Sequence, residues 1–105
     1  MQVSTSGLDS VSADHFADMF RLLGDPGRVQ ILYLLLDSGE QCVGDIAEAL
    51  DTPVTRVSQA LRLLRAAGMV RNRRDGRHIH YQLDDEHVAV LLQTCRDHFA
   101  HQQDT

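Results

Sequence analysis

At Gly68 the hydrophobic period of this chain changes from about 3.6 to 2, and that change sets most of the architecture. Before it, Val54 to Ala67 place Val57, Leu61 and Leu64 on one helical face, and Gly68 is the C-terminal stop. After it, Met69 to Leu83 alternate in strand fashion about Asp75-Gly76, the dipeptide of a type I′ hairpin. Upstream, Val43 to Leu50 (VGDIAEAL) is a short helix. Asp51-Thr52-Pro53 is a turn that restarts helix, with Thr52 at the N-cap and Pro53 at the first helical position. Two short helices across a tight turn, followed by a hairpin, read as a helix-turn-helix with a wing.

The remaining segments supply helices to pack against that unit. Phe16, Met19, Phe20 and Leu23 follow helical spacing between Val11 and the stop at Gly24. Asp25-Pro26 opens a second helix that is apolar nearly all round and therefore central, ending at Ser38-Gly39. A last helix starts near Asp84–Glu86 and runs to about His101, with Val88, Leu92, Cys95 and Phe99 in one apolar stripe. The expected fold is mainly α with a two-stranded β-wing, a winged helix-turn-helix of five helices. One domain over residues 11–101 lies between tails at 1–10 and 102–105. A chain of 105 residues buries only a modest core, which favours a homodimer.

No apolar run reaches the roughly 20 residues of a bilayer span. Met1 to Ser12 has neither the basic start nor the apolar centre of a signal peptide, and Cys42 and Cys95 are too few for a disulfide scaffold. The expectation is a cytoplasmic protein with no membrane partner.

The net charge of −5 argues against a nucleic-acid partner until its distribution is read. Residues 52–83 hold seven arginines and one acid, a block of net +6, while residues 1–51 carry −7 and 84–105 carry −4. Such a block is the footprint of a polyanion site. On the second short helix Thr55, Arg56, Ser58, Gln59 and Arg62 are the exposed candidates for a major groove, where arginine suits guanine and glutamine suits adenine. Folding at Asp75-Gly76 pairs Arg74 with Arg77, Asn72 with Ile79 and Val70 with Tyr81, leaving Arg71 and Arg73 opposite His80 and His78. Arg73, Arg74 and Arg77 then suit phosphate or minor-groove contact. The expected partner is a double-stranded DNA operator.

The last helix carries Asp85, His87, His98 and His101. His98 and His101 are three apart, on one face, and can chelate one ion. Asp85 and His87 meet where the chain enters the helix. His87 and His98 share a face but stand about 16 Å apart along the axis. One chain therefore cannot close the set, whereas an antiparallel second copy brings Asp85 and His87 to the other chain's His98 and His101, giving two equal sites. Three imidazoles and one carboxylate suit tetrahedral zinc, the favoured ion, or cobalt(II). Six-coordinate nickel or cobalt needs further ligands, for which His15 or the N-terminus is available. Glu86 is a helix-start charge. Four protein ligands make a closed site, so the chain is not read as a metalloenzyme.

The runs VGDIAEAL, VSQALRLLRAAGMV and RRDGRHIHYQL resemble the ArsR/SmtB winged-helix repressors, from about Phe20 to His101. The resemblance implies a homodimer joined by its first and last helices, and a repressor that leaves its operator when an inducer binds. The Asp85, His87, His98 and His101 pattern matches the family's metal site on its last helix, which makes a metal ion the expected inducer. The family's cysteine pair at the start of the helix-turn-helix is incomplete here, since the run is Cys42-Val43-Gly44. The function expected is metal-responsive repression: the apo dimer holds a palindromic operator, and metal between the last helices releases it. The alternative is a repressor of the same fold that senses oxidants or sulfur species through Cys42 and Cys95.

Overall fold

A computed structural model describes residues 7–103. Residues 1–6 and 104–105, parts of the two expected tails, lie outside the described residues. The elements are α1 (Ser10–Leu23), α2 (Pro26–Ser38), β1 (Gln41–Cys42), α3 (Val43–Leu50), α4 (Val54–Ala66), β2 (Val70–Asp75), β3 (His78–Leu83) and α5 (Glu86–Gln103).

Local chemistry explains most of the boundaries. Asp9 caps α1 by accepting from the Ser12 N–H at 2.7 Å, and Asp25 caps α2 through the Arg28 N–H at 3.0 Å, with Pro26 in the first turn. Gly39 and Gly68 follow α2 and α4 at φ 77°, a region where a side chain is strained. The turn between α3 and α4 differs from expectation by one residue. Asp51 takes the left-handed conformation (φ 50°, ψ 50°), and Thr52 turns its hydroxyl back to the Leu50 carbonyl at 3.0 Å. Thr52 is thereby tied to the preceding helix. Pro53 stands at the N-cap instead, its carbonyl accepting from Arg56 and Val57 N–H at 3.0 and 3.1 Å.

The core lies where α2, α3 and α4 meet, at Leu32, Ile46, Leu61 and Leu64, all at 0% exposure. Burying each such side chain contributes roughly 1.5–3 kcal/mol, so this three-helix junction dominates the cohesion of the domain. From α5 it receives Val88 and Leu92. Helix α1 has no buried residue at all.

The sheet has the order β1-β3-β2, all antiparallel. The expected wing is its β2–β3 hairpin; β1 adds a short third strand through Gln41 opposite Tyr81 and Cys42 opposite His80. The hairpin register departs from expectation. Asp75 pairs with His78, Arg74 with Ile79, Asn72 with Tyr81 and Val70 with Leu83, so the loop is Gly76-Arg77. Gly76 alone in this loop has positive φ, 64°, as a II′ turn requires, whereas a I′ turn at Asp75-Gly76 would also force aspartate into that region. The observed register brings Leu83 into the ladder opposite buried Val70. The shift is two residues, so every side chain keeps its expected face.

Candidate nucleic-acid interface and metal centre

On α4 the buried positions are Val57, Leu61 and Leu64. At 100° per residue the centre of the opposite face falls on Thr55, Gln59 and Arg62, all exposed. Arg56 is exposed at one flank and Ser58 half-buried at the other. Four of the five expected groove-facing residues are thus exposed on one helix, and Ser58 is half-buried at its flank.

The wing splits into two faces. Val70, Asn72, Tyr81 and Leu83 face the core. The outer face carries Arg71, Arg73, His80 and Gln82. Arg74 and Arg77, near the tip, are exposed and hold no ion pair among the described residues, nor do Arg56 and Arg62. Arg73 differs. Its Nε and Nη2 donate to Glu40 Oε2 and Oε1 at 2.8 and 2.7 Å, a two-pronged pair. Gln82 Nε2 lies 3.4 Å from the same carboxylate. The Arg73 hydrogen bonds lower the pKa of Glu40 and raise that of Arg73. Sequence reasoning gave no sign of this partner: Glu40 is 33 positions away, in a corner with no periodicity. Arg65 and Arg71, counted in the basic block but not among the expected DNA contacts, are exposed as well.

At the other end of the chain, Asp85 and His87 come together as expected, with Asp85 Oδ2 3.4 Å from His87 Nδ1. Asp85 Oδ1 meanwhile accepts from the Val88 N–H at 3.2 Å, which caps α5. That backbone bond first, and the His87 ring second among the stabilising groups, hold the Asp85 carboxyl below its ordinary pKa. His98 and His101 lie on the last turns of the same helix, exposed. Within one chain the two pairs stay apart, and no group of three or more metal-capable side chains forms among the described residues. The donor set, an aspartate touching a histidine plus an i, i+3 histidine pair, is of a kind that suits a tetrahedral ion, and in one chain it is divided between the two ends of α5. His15 is on α1, stacked edge-on against Phe16 at 5.7 Å.

A second surface runs along α1 and α5. Phe16, Phe20, Leu91 and Phe99 are 38–62% exposed, although Phe16, Phe20 and Phe99 belong to the apolar stripes of their helices. Phe20, Leu91 and Cys95 line a cleft floored by Leu32 and Tyr33. Contiguous exposed apolar surface of this kind marks an interface. Cys42, half-buried at β1, and Cys95, exposed on α5, are both free thiols.

A family model described as bacterial regulatory protein, arsR family, matches residues 25–72. The chain is 39% identical over 88 residues to the cadmium resistance transcriptional regulatory protein CadC homolog of Staphylococcus aureus, covering 84% of this chain and 70% of that one. It is 42% identical over 94 residues to the HTH-type transcriptional regulator NmtR of Mycobacterium tuberculosis, covering 90% and 78%. Among solved structures, the homodimeric winged helix-turn-helix DNA-binding domain Mb0332 of Mycobacterium bovis superposes with TM-score 0.83 at 30% identity, over 96% of this chain and 94% of that one.

Proposed function

The chain belongs to the arsR family of bacterial regulatory proteins, and we propose that within it this protein is a metal-responsive repressor working as a homodimer. It is a regulator with a DNA-binding winged-helix fold, not an enzyme. The observation that carries the proposal is the division of Asp85 and His87 from His98 and His101, which lie at opposite ends of one helix beside an uncovered apolar surface. A second copy packed antiparallel along α5 would cover Leu91 and Phe99 and complete two four-ligand sites at once. The homodimeric state of the Mycobacterium bovis domain and the cadmium-resistance role in the CadC homolog's name support this reading.

In the dimer, each α4 presents Thr55, Gln59 and Arg62 to a major groove, with Arg56 and Ser58 at its margins, while Arg74 and Arg77 reach the flanking backbone. Two-fold symmetry makes the operator palindromic. Asp85 and His87 of one chain, with His98 and His101 of the partner subunit, would hold the inducing ion, zinc by the chemistry of the donor set. Once held, the ion supplies a fixed coordination geometry that favours one mutual arrangement of the α5 pair. Metal affinity and DNA affinity must then oppose each other by the same factor. The cytoplasm is where such a regulator meets its DNA, and no helix among the described residues is long and apolar enough to cross a membrane.

Anisotropy titration of a labelled duplex tests the proposal, with the probe taken from the DNA upstream of the protein's own gene. Chelated protein binds, and zinc lowers the affinity by tenfold or more. His98→Ala retains binding and loses the zinc response. Tight binding that no metal alters, with His98→Ala identical to wild type, rejects it.

A further inference from the structure

The outer face of the sheet holds Arg71, Arg73, His78 and His80, with Asp75 near its tip and a second carboxylate at its base. The carboxylate at the base, Glu40, belongs to the corner between α2 and β1, directly after Gly39. Its bonds cross the sheet: Gln82 is on β3 and Arg73 on β2, so Glu40, immediately before β1, ties all three strands together.

We propose that Arg73 is a positioning residue, which with Glu40 fixes the wing relative to the helix-turn-helix, and that it does not neutralise a DNA phosphate. This rests on the reading that α4 and the wing bind DNA. One edge of the guanidinium, Nε and Nη2, is taken by one carboxylate at 2.8 and 2.7 Å, and the carboxylate charge offsets that of the arginine. Glu40 is the more sheltered partner, its side chain 27% exposed against 53% for Arg73, so releasing Arg73 to a phosphate would strand a half-covered carboxylate beside a polyanion. The wing has few other anchors. β1 offers it only two residues, and from Asn72 to the tip no side chain is buried. An exposed ion pair adds little to global stability. Its effect here is geometric, because it determines where Arg74 and Arg77 stand when α4 is in the groove.

The sign of one substitution separates the two roles. If Arg73 is a phosphate ligand restrained by Glu40, Glu40→Ala frees it, removes a negative charge near DNA and tightens binding. If the pair is a strut, Glu40→Ala weakens binding despite the favourable charge change. The probe is a fluorescein-labelled duplex recovered by the wild-type protein from a random-sequence pool, titrated across a series of salt concentrations. Glu40→Ala and Arg73→Ala should each lose affinity severalfold, and the double variant no more than either. The salt slope for Arg73→Ala should stay at the wild-type value, whereas a lost phosphate contact reduces it by about 0.9. The exchanged pair Glu40→Arg with Arg73→Glu, which conserves composition and charge, should regain affinity. Tighter or unchanged binding in Glu40→Ala, a reduced slope in Arg73→Ala, or no recovery in the exchanged pair overturns the proposal. Failure of the wild type to bind any duplex would instead strike the DNA-binding reading. Hydrogen exchange without DNA then tests the strut alone: both single variants must speed amide exchange in β2 and β3, and unchanged exchange rejects it.

Discussion

The Tyr33 hydroxyl donates to the Leu92 carbonyl at 2.7 Å, joining α2 to α5 across 59 positions of chain. One turn further along α5, Arg96 lies 4.7 Å above the Tyr33 ring and donates both Nη atoms to Asp37 at 3.0 Å. The helix that carries the candidate metal ligands is thus fastened to the central core helix by a hydrogen bond, a cation–π contact and a forked ion pair. Burial of the phenol, chiefly, raises the Tyr33 pKa.

Tyr33→Phe keeps the ring under Arg96 and removes only the hydrogen bond. The expected cost is about 1 kcal/mol, which corresponds to a fall in Tm of about 4–8 °C for a domain of this size. Thermal unfolding followed by circular dichroism at one fixed protein concentration checks it.

Helix α4 separates stability from recognition by face. Leu61→Ala, at a fully buried position, should destabilise by about 2–5 kcal/mol. Gln59→Ala, on the exposed face, should leave stability within about 0.5 kcal/mol of wild type and weaken operator binding. Denaturant unfolding together with DNA titration of both variants tests the division. A Gln59→Ala protein that binds like wild type removes that residue from the interface.

The pattern of α4 was legible because its two faces differ in every turn, Val57, Leu61 and Leu64 against Thr55, Gln59 and Arg62. The helix stops were legible because Gly39 and Gly68 occupy positions that require positive φ. The wing register was not. A period-two pattern looks the same after a shift of two residues, so only the turn geometry at Gly76 distinguishes the pairings. β1 has two residues and no period to detect. The contact of Asp85 with His87 was legible, since the two are two positions apart at a helix start, whereas that of Glu40 with Arg73 was opaque, since the pairing arises from the fold of the sheet.

The Glu40–Arg73 pair gives a defined pH dependence. Arg73 depresses the Glu40 pKa below its ordinary 4.5, so the pair's stabilisation is complete above that value. It is lost as pH falls through the lower, folded-state value. The Tm difference between wild type and Glu40→Ala should accordingly be constant from neutral pH down to the ordinary glutamate range and shrink below it. A difference that grows on acidification contradicts this.

Asp85 has two tasks that substitution can separate. Asp85→Asn keeps an acceptor for the Val88 N–H and so retains the cap of α5, while losing the charge. Asp85→Ala loses both. The first variant should match wild type in Tm and bind zinc more weakly; the second should fall in both. Zinc competition against a chromophoric chelator, paired with thermal unfolding, reads the two effects.

The central claim is that each metal site draws Asp85 and His87 from one chain and His98 and His101 from the other. Equilibrium dialysis of zinc against a purified mixed dimer tests it most directly. One chain carries Asp85→Ala with His87→Ala, and its partner carries His98→Ala with His101→Ala. Each parental homodimer lacks half of both sites and should bind no zinc, while the mixed dimer regains one complete site and should bind one ion. A mixed dimer that binds none, or a parental homodimer that binds as wild type does, contradicts the account.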